Sequence, residues 1–215
     1  MYVPKHFREE DLAVLQALMR VNSFATLISV QEDGVPVATP LPTLLEMEPA
    51  PYGTLKAHVA LGNPQWHTLQ QDREILVIFQ GPHAYISPSW YEEQPSVPTW
   101  NYATVHAYGR PRLITEQAEL YEHLRGLVTA YERGFLQPWQ MEGLPIDYVD
   151  KMMKGVVGVS IEITRLFGKY KLSQNRSRQD QQQVIEQLQM AEDPSMREVA
   201  SLMQSPRDAQ RANLK

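Results

Sequence analysis

Three stretches of the sequence combine aromatic, hydroxyl, amide and basic side chains densely enough to hold a flat polar ligand. Residues 80–91 read QGPHAYISPSWY, and residues 97–102 read VPTWNY. Aromatic rings can contact the faces of a planar ring system while hydroxyl and amide groups bond its rim. Residues 169–176, KYKLSQNR, add charged donors suited to a phosphate or a carbonyl edge. For the first two stretches, the alternative is an aromatic core with proline-capped turns. For residues 169–176, the alternative is a solvated strand end.

A fourth stretch, residues 56–66, reads KAHVALGNPQW. Its pattern predicts a strand followed by a helix that begins after Asn63-Pro64. The backbone N–H groups at the start of that helix would face an anion. Most histidines on apolar strands are packed core groups, so His58 is either a ligand contact or part of the core.

Composition excludes several kinds of site. The 215-residue chain has no cysteine, which excludes disulfides, thiolate metal sites and cysteine nucleophiles. Its six histidines form no i, i+4 pair on a predicted helix, so we predict no metal site. The net charge of −5 makes direct DNA binding unfavourable, because phosphate neutralisation needs concentrated positive charge. We find neither a membrane span nor the apolar stretch of a signal peptide and expect a cytoplasmic protein.

The N-terminal two-thirds of the chain predicts a helix followed by strands. The first helix has Glu9, Glu10 and Asp11 in its first turn. Most of the 16 prolines lie between positions 36 and 111, which favours short strands and turns. The predicted strands include a hairpin of 24–30 and 35–39 around Asp-Gly, short runs at 54–61, 75–80 and 84–87, and a long strand at 99–114.

Helical periodicity returns after Thr115, a candidate N-cap. Ser195 and Glu198 have the spacing of a capping box. We expect the chain from Ser205 onward to be frayed. The predicted elements are a helix from 115 to about 131, a helix at 146–153, a closing strand at 156–172 and two short helices with narrow apolar faces at 181–190 and 195–203.

Six segments, in order from Met1 to about Arg176, resemble the PaiB-like family of FMN-binding negative transcriptional regulators. They are MYVPKHF, FATLISVQEDGVPVATPLP, GTLKAHVALGNPQW, VIFQGPHAYISPSWY, VPTWNYATVHAYGRPR and GKYKLSQNR. The resemblance implies an α+β fold, mainly β with helices: an antiparallel, Greek-key-like FMN-binding split β-barrel decorated by helices. We assign residues 1–175 to this domain, with an inserted helical pair at about 115–154, and residues 176–215 to a C-terminal helical extension.

The same resemblance implies a site for FMN. The family pattern is typically Gly-His-Val-Ala-Arg-Ala-Asn-Pro-Gln-Trp, and this sequence has Ala57, Leu61 and Gly62 at the three positions that differ. A family His is replaced by Pro40 and a family Trp by Tyr170. The cofactor-binding residues implied are His58, Val59, Ala60, Asn63, Trp100, Asn101, Tyr102, Lys171, Ser173, Gln174 and Asn175.

The function implied is that of an FMN-binding split-barrel protein that acts as a homodimer, with oxidoreductase or flavin reductase capacity. Any transcriptional effect would be indirect, because the charge and the absence of a recognition helix disfavour DNA contact. The resemblance does not assign catalytic residues. The alternative is a dimeric module that is cofactor-free or binds heme through His58 or His106.

Overall fold

Eight strands and five α-helices make up the regular structure of residues 1–48 and 51–204, the part of the chain described by the computed structural model. Short 3₁₀ helices at Lys5–Phe7, Pro64–Gln70, Pro88–Trp90 and Met141–Gly143 complete it. The strands are β1 Arg8–Glu9, β2 Phe24–Val30, β3 Pro36–Pro42, β4 Leu44–Glu46, β5 Thr54–Ala60, β6 Ile75–Ile86, β7 Thr99–Ile114 and β8 Val156–Lys171. The helices are α1 Leu12–Val21, α2 Gln117–Glu132, α3 Ile146–Met153, α4 Arg178–Gln189 and α5 Pro194–Met203.

The strands join one antiparallel sheet in the order β3-β2-β6-β7-β8-β5-β4, and β1 pairs with β8. The predicted hairpin around Asp33-Gly34 is confirmed, with Leu27 opposite Thr39 in its register. β3 is at one end of this strand order. Proline is tolerated in such a strand because its backbone needs hydrogen-bond partners on one side only. The mainly β fold with helices is therefore confirmed.

Two boundaries within the sheet region differ from the prediction. The runs 75–80 and 84–87 are one strand, β6, that continues through Pro82. Pro82 lies beyond residues 76–78, which pair with β2, so its missing N–H costs no bond to that strand. The expected placement of three acids in the first turn of α1 is wrong: Glu9 belongs to β1, and Asp11 precedes the helix and accepts a bond from the backbone N–H of Ala13 at 2.9 Å.

The chain divides into two compact units, each containing parts of β6, β7 and β8. The first unit comprises residues 1–15, 80–105 and the chain from Phe167 on, and it includes α4 and α5. The second unit comprises residues 16–79 and 106–166. Helices α2 and α3 of the second unit pack through a cluster of Ile114, Leu120, Met141, Val149 and Met153.

Two predicted helix caps are wrong. Glu116, not Thr115, occupies the N-cap of α2, and its side chain makes no cap bond. Asp193 caps α5 by accepting the N–H of Ser195 at 2.8 Å. The Ser195 hydroxyl bonds elsewhere, so the capping box does not form. The expected fraying from Ser205 lies outside the described residues.

Candidate ligand-binding site

Exposed aromatic rings cluster on β6 and β7 in the first unit. Trp100 and Tyr85 are 52% and 45% exposed. Their ring centroids are 5.9 Å apart in an edge-to-face arrangement, and the His83 ring lies 6.1 Å from Trp100. Side chains alternate along a strand, so Trp100 and Tyr102 share one face while Asn101 points to the other. The cluster offers an accessible ring face of the kind that planar ligands contact.

Two lysines of β8 accompany these rings. The ammonium of Lys169 lies 5.4 Å from the ring centroid of Tyr102. The ammonium of Lys171 donates to the backbone carbonyl of Trp100 at 2.7 Å and to the hydroxyl of Thr99. We call Tyr85, Trp100, Tyr102, Lys169 and Lys171 the aromatic-lysine face.

Positive charge at this face has no acidic ion-pair partner among the described residues. Burial lowers the pKa of Lys171, and the nearby charges of Lys169 and Arg176 lower it further. None of the ion pairs found in residues 1–48 and 51–204 involves these three side chains. An anionic ligand placed here would relieve that repulsion, which makes the face suited to a negatively charged group.

Asn101 and Ser173 lie beneath the face rather than on it. Asn101 is fully buried and donates from Nδ2 to the Ser173 hydroxyl at 2.9 Å, with the sulfur of Met203 at 3.5 Å. Its Oδ1 has no hydrogen-bond partner in the described part of the chain. Ser173 has a φ of 64°, in the left-handed region. The pair therefore joins the start of β7 to the end of β8.

Gln174 and Asn175 differ in their surroundings. Gln174 accepts the N–H of Leu172 at 2.8 Å and donates to the carbonyl of Tyr170 at 2.6 Å, so its amide is used in closing the strand end. Asn175 is exposed. Of the seven residues predicted in this part of the chain, Trp100, Tyr102 and Lys171 lie together on one face, and the others support or adjoin it.

The residues predicted from the fourth stretch belong to the second unit. Val59 is buried and Ala60 is exposed. Asn63 accepts the N–H of Gln65 at 3.0 Å and donates to the Thr39 hydroxyl at 3.1 Å. The side chain of Asn63 therefore caps the 3₁₀ helix that follows it.

His58 faces a second histidine, which the sequence analysis did not single out. The rings of His58 and His123 are 5.7 Å apart at an interplanar angle of 68°. Burial lowers the pKa of His58, and burial with the nearby charges of His58 and Lys56 lowers the pKa of His123 to about 4. Both rings are neutral at neutral pH. The two residues are 65 positions apart, so no local pattern could have paired them.

The described residues contain no cluster of three or more His, Cys, Asp or Glu side chains able to hold a metal ion. Within the same residues, no helix is long and apolar enough to cross a membrane.

Comparison with known proteins agrees with this fold. The sequence model of a protein family described as "Putative FMN-binding domain" matches residues 1–165 of this chain. "Protease synthase and sporulation protein PAI 2" of Bacillus subtilis is 40% identical over 204 residues, which cover 95% of this chain and 97% of that protein. The flavocytochrome Anf3 from Azotobacter vinelandii superposes with a TM-score of 0.58 at 19% identity, over 79% of this chain and 72% of that one. The FAD and heme binding protein from Mycobacterium smegmatis gives a TM-score of 0.56 at 16% identity, over 76% and 73%.

The fold defines a split-barrel protein, as predicted. The chain belongs to the FMN-binding domain family that the model describes, and the predicted resemblance to the PaiB-like proteins is confirmed.

Proposed function

We propose that this protein binds FMN at the aromatic-lysine face and works as a small flavoprotein with oxidoreductase capacity. The observation that carries the proposal is the exposed ring of Trp100 on a face with two lysines, neither of which has an acidic ion-pair partner among the described residues. A flat ring can stack on Trp100 or Tyr85, and an anionic group can meet Lys169 and Lys171.

The donor set of the face fits this cofactor. The ammonium of Lys171 has three N–H donors, and two of them are directed at Thr99 and Trp100. The third can bond an anionic oxygen without disturbing the other two. Lys169, held over Tyr102, adds a second positive charge.

The cofactor and the side chains of the face have different roles in this proposal. FMN supplies the electron-transfer chemistry when it is bound. Trp100 and Tyr85 orient the ring by contact, and Lys171 places positive charge beside it. We assign no proton transfer to a residue of the chain. We propose the capacity of a flavin reductase or a related oxidoreductase, with a nicotinamide as the candidate electron donor.

The residues His58, Val59, Ala60 and Asn63 remain part of the proposal through the family pattern, together with a homodimer that completes the site. The Bacillus subtilis relative carries sporulation in its name, which supports a regulatory role. We propose that such a role is indirect and cytoplasmic, since the acidic chain is poorly suited to bind DNA.

Heme is the second candidate cofactor. Nδ1 of His58 and Nδ1 of His106 are buried and have no hydrogen-bond partner within the described residues. A neutral histidine of this kind can ligate iron.

The test is an absorbance spectrum of the full chain purified under native conditions, followed by an assay of NAD(P)H oxidation. We expect the flavin spectrum and turnover that depends on added FMN. A Soret band without flavin absorbance would favour the heme alternative. A colourless protein that takes up neither cofactor would contradict both and leave a cofactor-free module.

A further inference from the structure

The C-terminal helices contact the backbone that carries the aromatic rings of the face. These helices, α4 and α5, lie outside residues 1–165, which match the family model. We propose that they form a clamp that positions Tyr85 and Trp100, with Ser195 and Asp180 as its positioning residues. The ligand arm of this proposal rests on the proposed function.

Ser195 makes the first contact of the clamp. Its hydroxyl donates to the carbonyl of His83 at 2.9 Å and accepts the N–H of the same residue at 3.0 Å. His83 lies past residues 76–78 of β6, which pair with β2, so this backbone edge is bonded by a side chain instead of a strand. Tyr85 follows two residues later on the same strand and face.

Asp180 makes the second contact. It is fully buried in the first turn of α4, and its Oδ1 accepts the N–H of Glu92 at 2.8 Å and that of Glu93 at 3.4 Å. These amides belong to the loop that leads into β7 and Trp100. Arg176, just before α4, stacks on Tyr91 of the same loop at 4.3 Å.

The third contact is Met203 at the end of α5, whose sulfur lies 3.5 Å from Nδ2 of Asn101, next to Trp100. The three contacts involve both helices and reach β6, the connecting loop and β7. The helices α4 and α5 contact each other as a hairpin, and both bury apolar side chains, Val184 and Leu188 in α4 and Val199 in α5. Loosening the hairpin would release both ring-bearing segments together.

The experiment uses the full chain and two matched pairs of variants. Ser195→Ala removes the hydroxyl and Ser195→Thr restores one. Asp180→Ala removes the carboxylate and Asp180→Asn retains an acceptor oxygen. Ser201→Ala is the control, because Ser201 is an exposed residue of α5 whose hydroxyl donates to the backbone carbonyl of Arg197 in the same helix.

Backbone hydrogen exchange without ligand is the first readout. We expect faster exchange at 83–86 in Ser195→Ala and at 92–101 in Asp180→Ala, with restoration in Ser195→Thr and Asp180→Asn and no change in the control. The second readout is the Kd for FMN, expected to rise about fivefold in each alanine variant, because each loses the two hydrogen bonds that hold its segment and part of that loss reaches the ligand site.

Unchanged exchange in both alanine variants overturns the clamp. FMN affinity equal to wild type in variants with altered exchange also overturns it as a positioning device. If the alanine variants show altered exchange but the wild-type protein does not bind FMN, the proposed function is contradicted and the clamp stands. The two failures are thus separable.

Discussion

The ammonium of Lys171 lies 2.7 Å from the backbone carbonyl of Trp100 and bonds it. This bond joins β8 to β7 and places a positive charge next to an exposed ring. A planar anion meets both features at once, because the ring offers dispersion contact while the ammonium offers charge.

Replacing Trp100 by Ala should weaken FMN binding about fivefold or more, because stacking on one aromatic side chain contributes about 1–3 kcal/mol. Trp100→Phe should retain part of the affinity. Equilibrium dialysis against FMN measures both. Trp139→Ala is the control, since Trp139 is an exposed tryptophan of the second unit. Equal losses in Trp100→Ala and Trp139→Ala would rule out a specific role for Trp100.

Replacing Lys171 by Met should raise the Kd for FMN about tenfold, because a hydrogen bond to a charged group contributes about 1.5–3 kcal/mol. It should also reduce the dependence of the Kd on salt, which reports charge attraction. Lys171→Arg should keep the salt dependence. Lys151→Met is the control, because Lys151 is an exposed residue of α3. A Kd for Lys171→Met that keeps the wild-type salt slope would contradict a charge contact.

The buried His123 predicts a free energy of unfolding that falls in mild acid. Burial lowers the pKa of His123 in the folded state to about 4, and the unfolded side chain titrates near its usual 6.5. The unfolded chain therefore binds more protons between these values. The free energy of unfolding carries the full contribution of the neutral His123 above pH 6.5. It falls as the pH drops from 6.5 toward 4, by up to about 1.4 kcal/mol per pH unit.

Urea unfolding at pH 7, 6 and 5 measures this slope. His123→Gln should reduce the pH dependence of the free energy of unfolding. His67→Gln should leave that dependence unchanged, because His67 is exposed. A slope that is unchanged by His123→Gln would assign the acid sensitivity to other groups.

Gly109→Ala should destabilise the fold, since a β-carbon there would overlap the backbone carbonyl of Glu162 and lie 2.7 Å from Cγ2 of Ile161. Overpacking of this kind costs about 1–3 kcal/mol. Gly62→Ala is the matched control, because its β-carbon meets nothing within 4 Å. Thermal unfolding that shifts equally in both variants would contradict the packing account.

The regular elements were largely predictable because their patterns are local. Alternation over 99–114 and helical periodicity over 146–153 gave β7 and α3 at the bounds that the structure has. Caps were less predictable, since several acids or hydroxyls near a helix start compete. Asp193 takes the cap of α5 and leaves the hydroxyl of Ser195 for His83.

The site was predictable in its residue types and less so in its geometry. Strand alternation implies that Trp100 and Tyr102 share a face. No local signal indicated that Gln174 would bond its own strand end. Contacts such as Ser195 to His83 and Asp180 to Glu92 join positions about a hundred residues apart, and only the folded chain brings them together.

Titration of the full chain with FMN, followed by quenching of flavin fluorescence, tests the central claim most directly. The account predicts saturable quenching with a Kd in the micromolar range and a stoichiometry of one FMN per chain. Quenching that fails to saturate at tens of micromolar FMN would contradict a flavin site on the aromatic-lysine face.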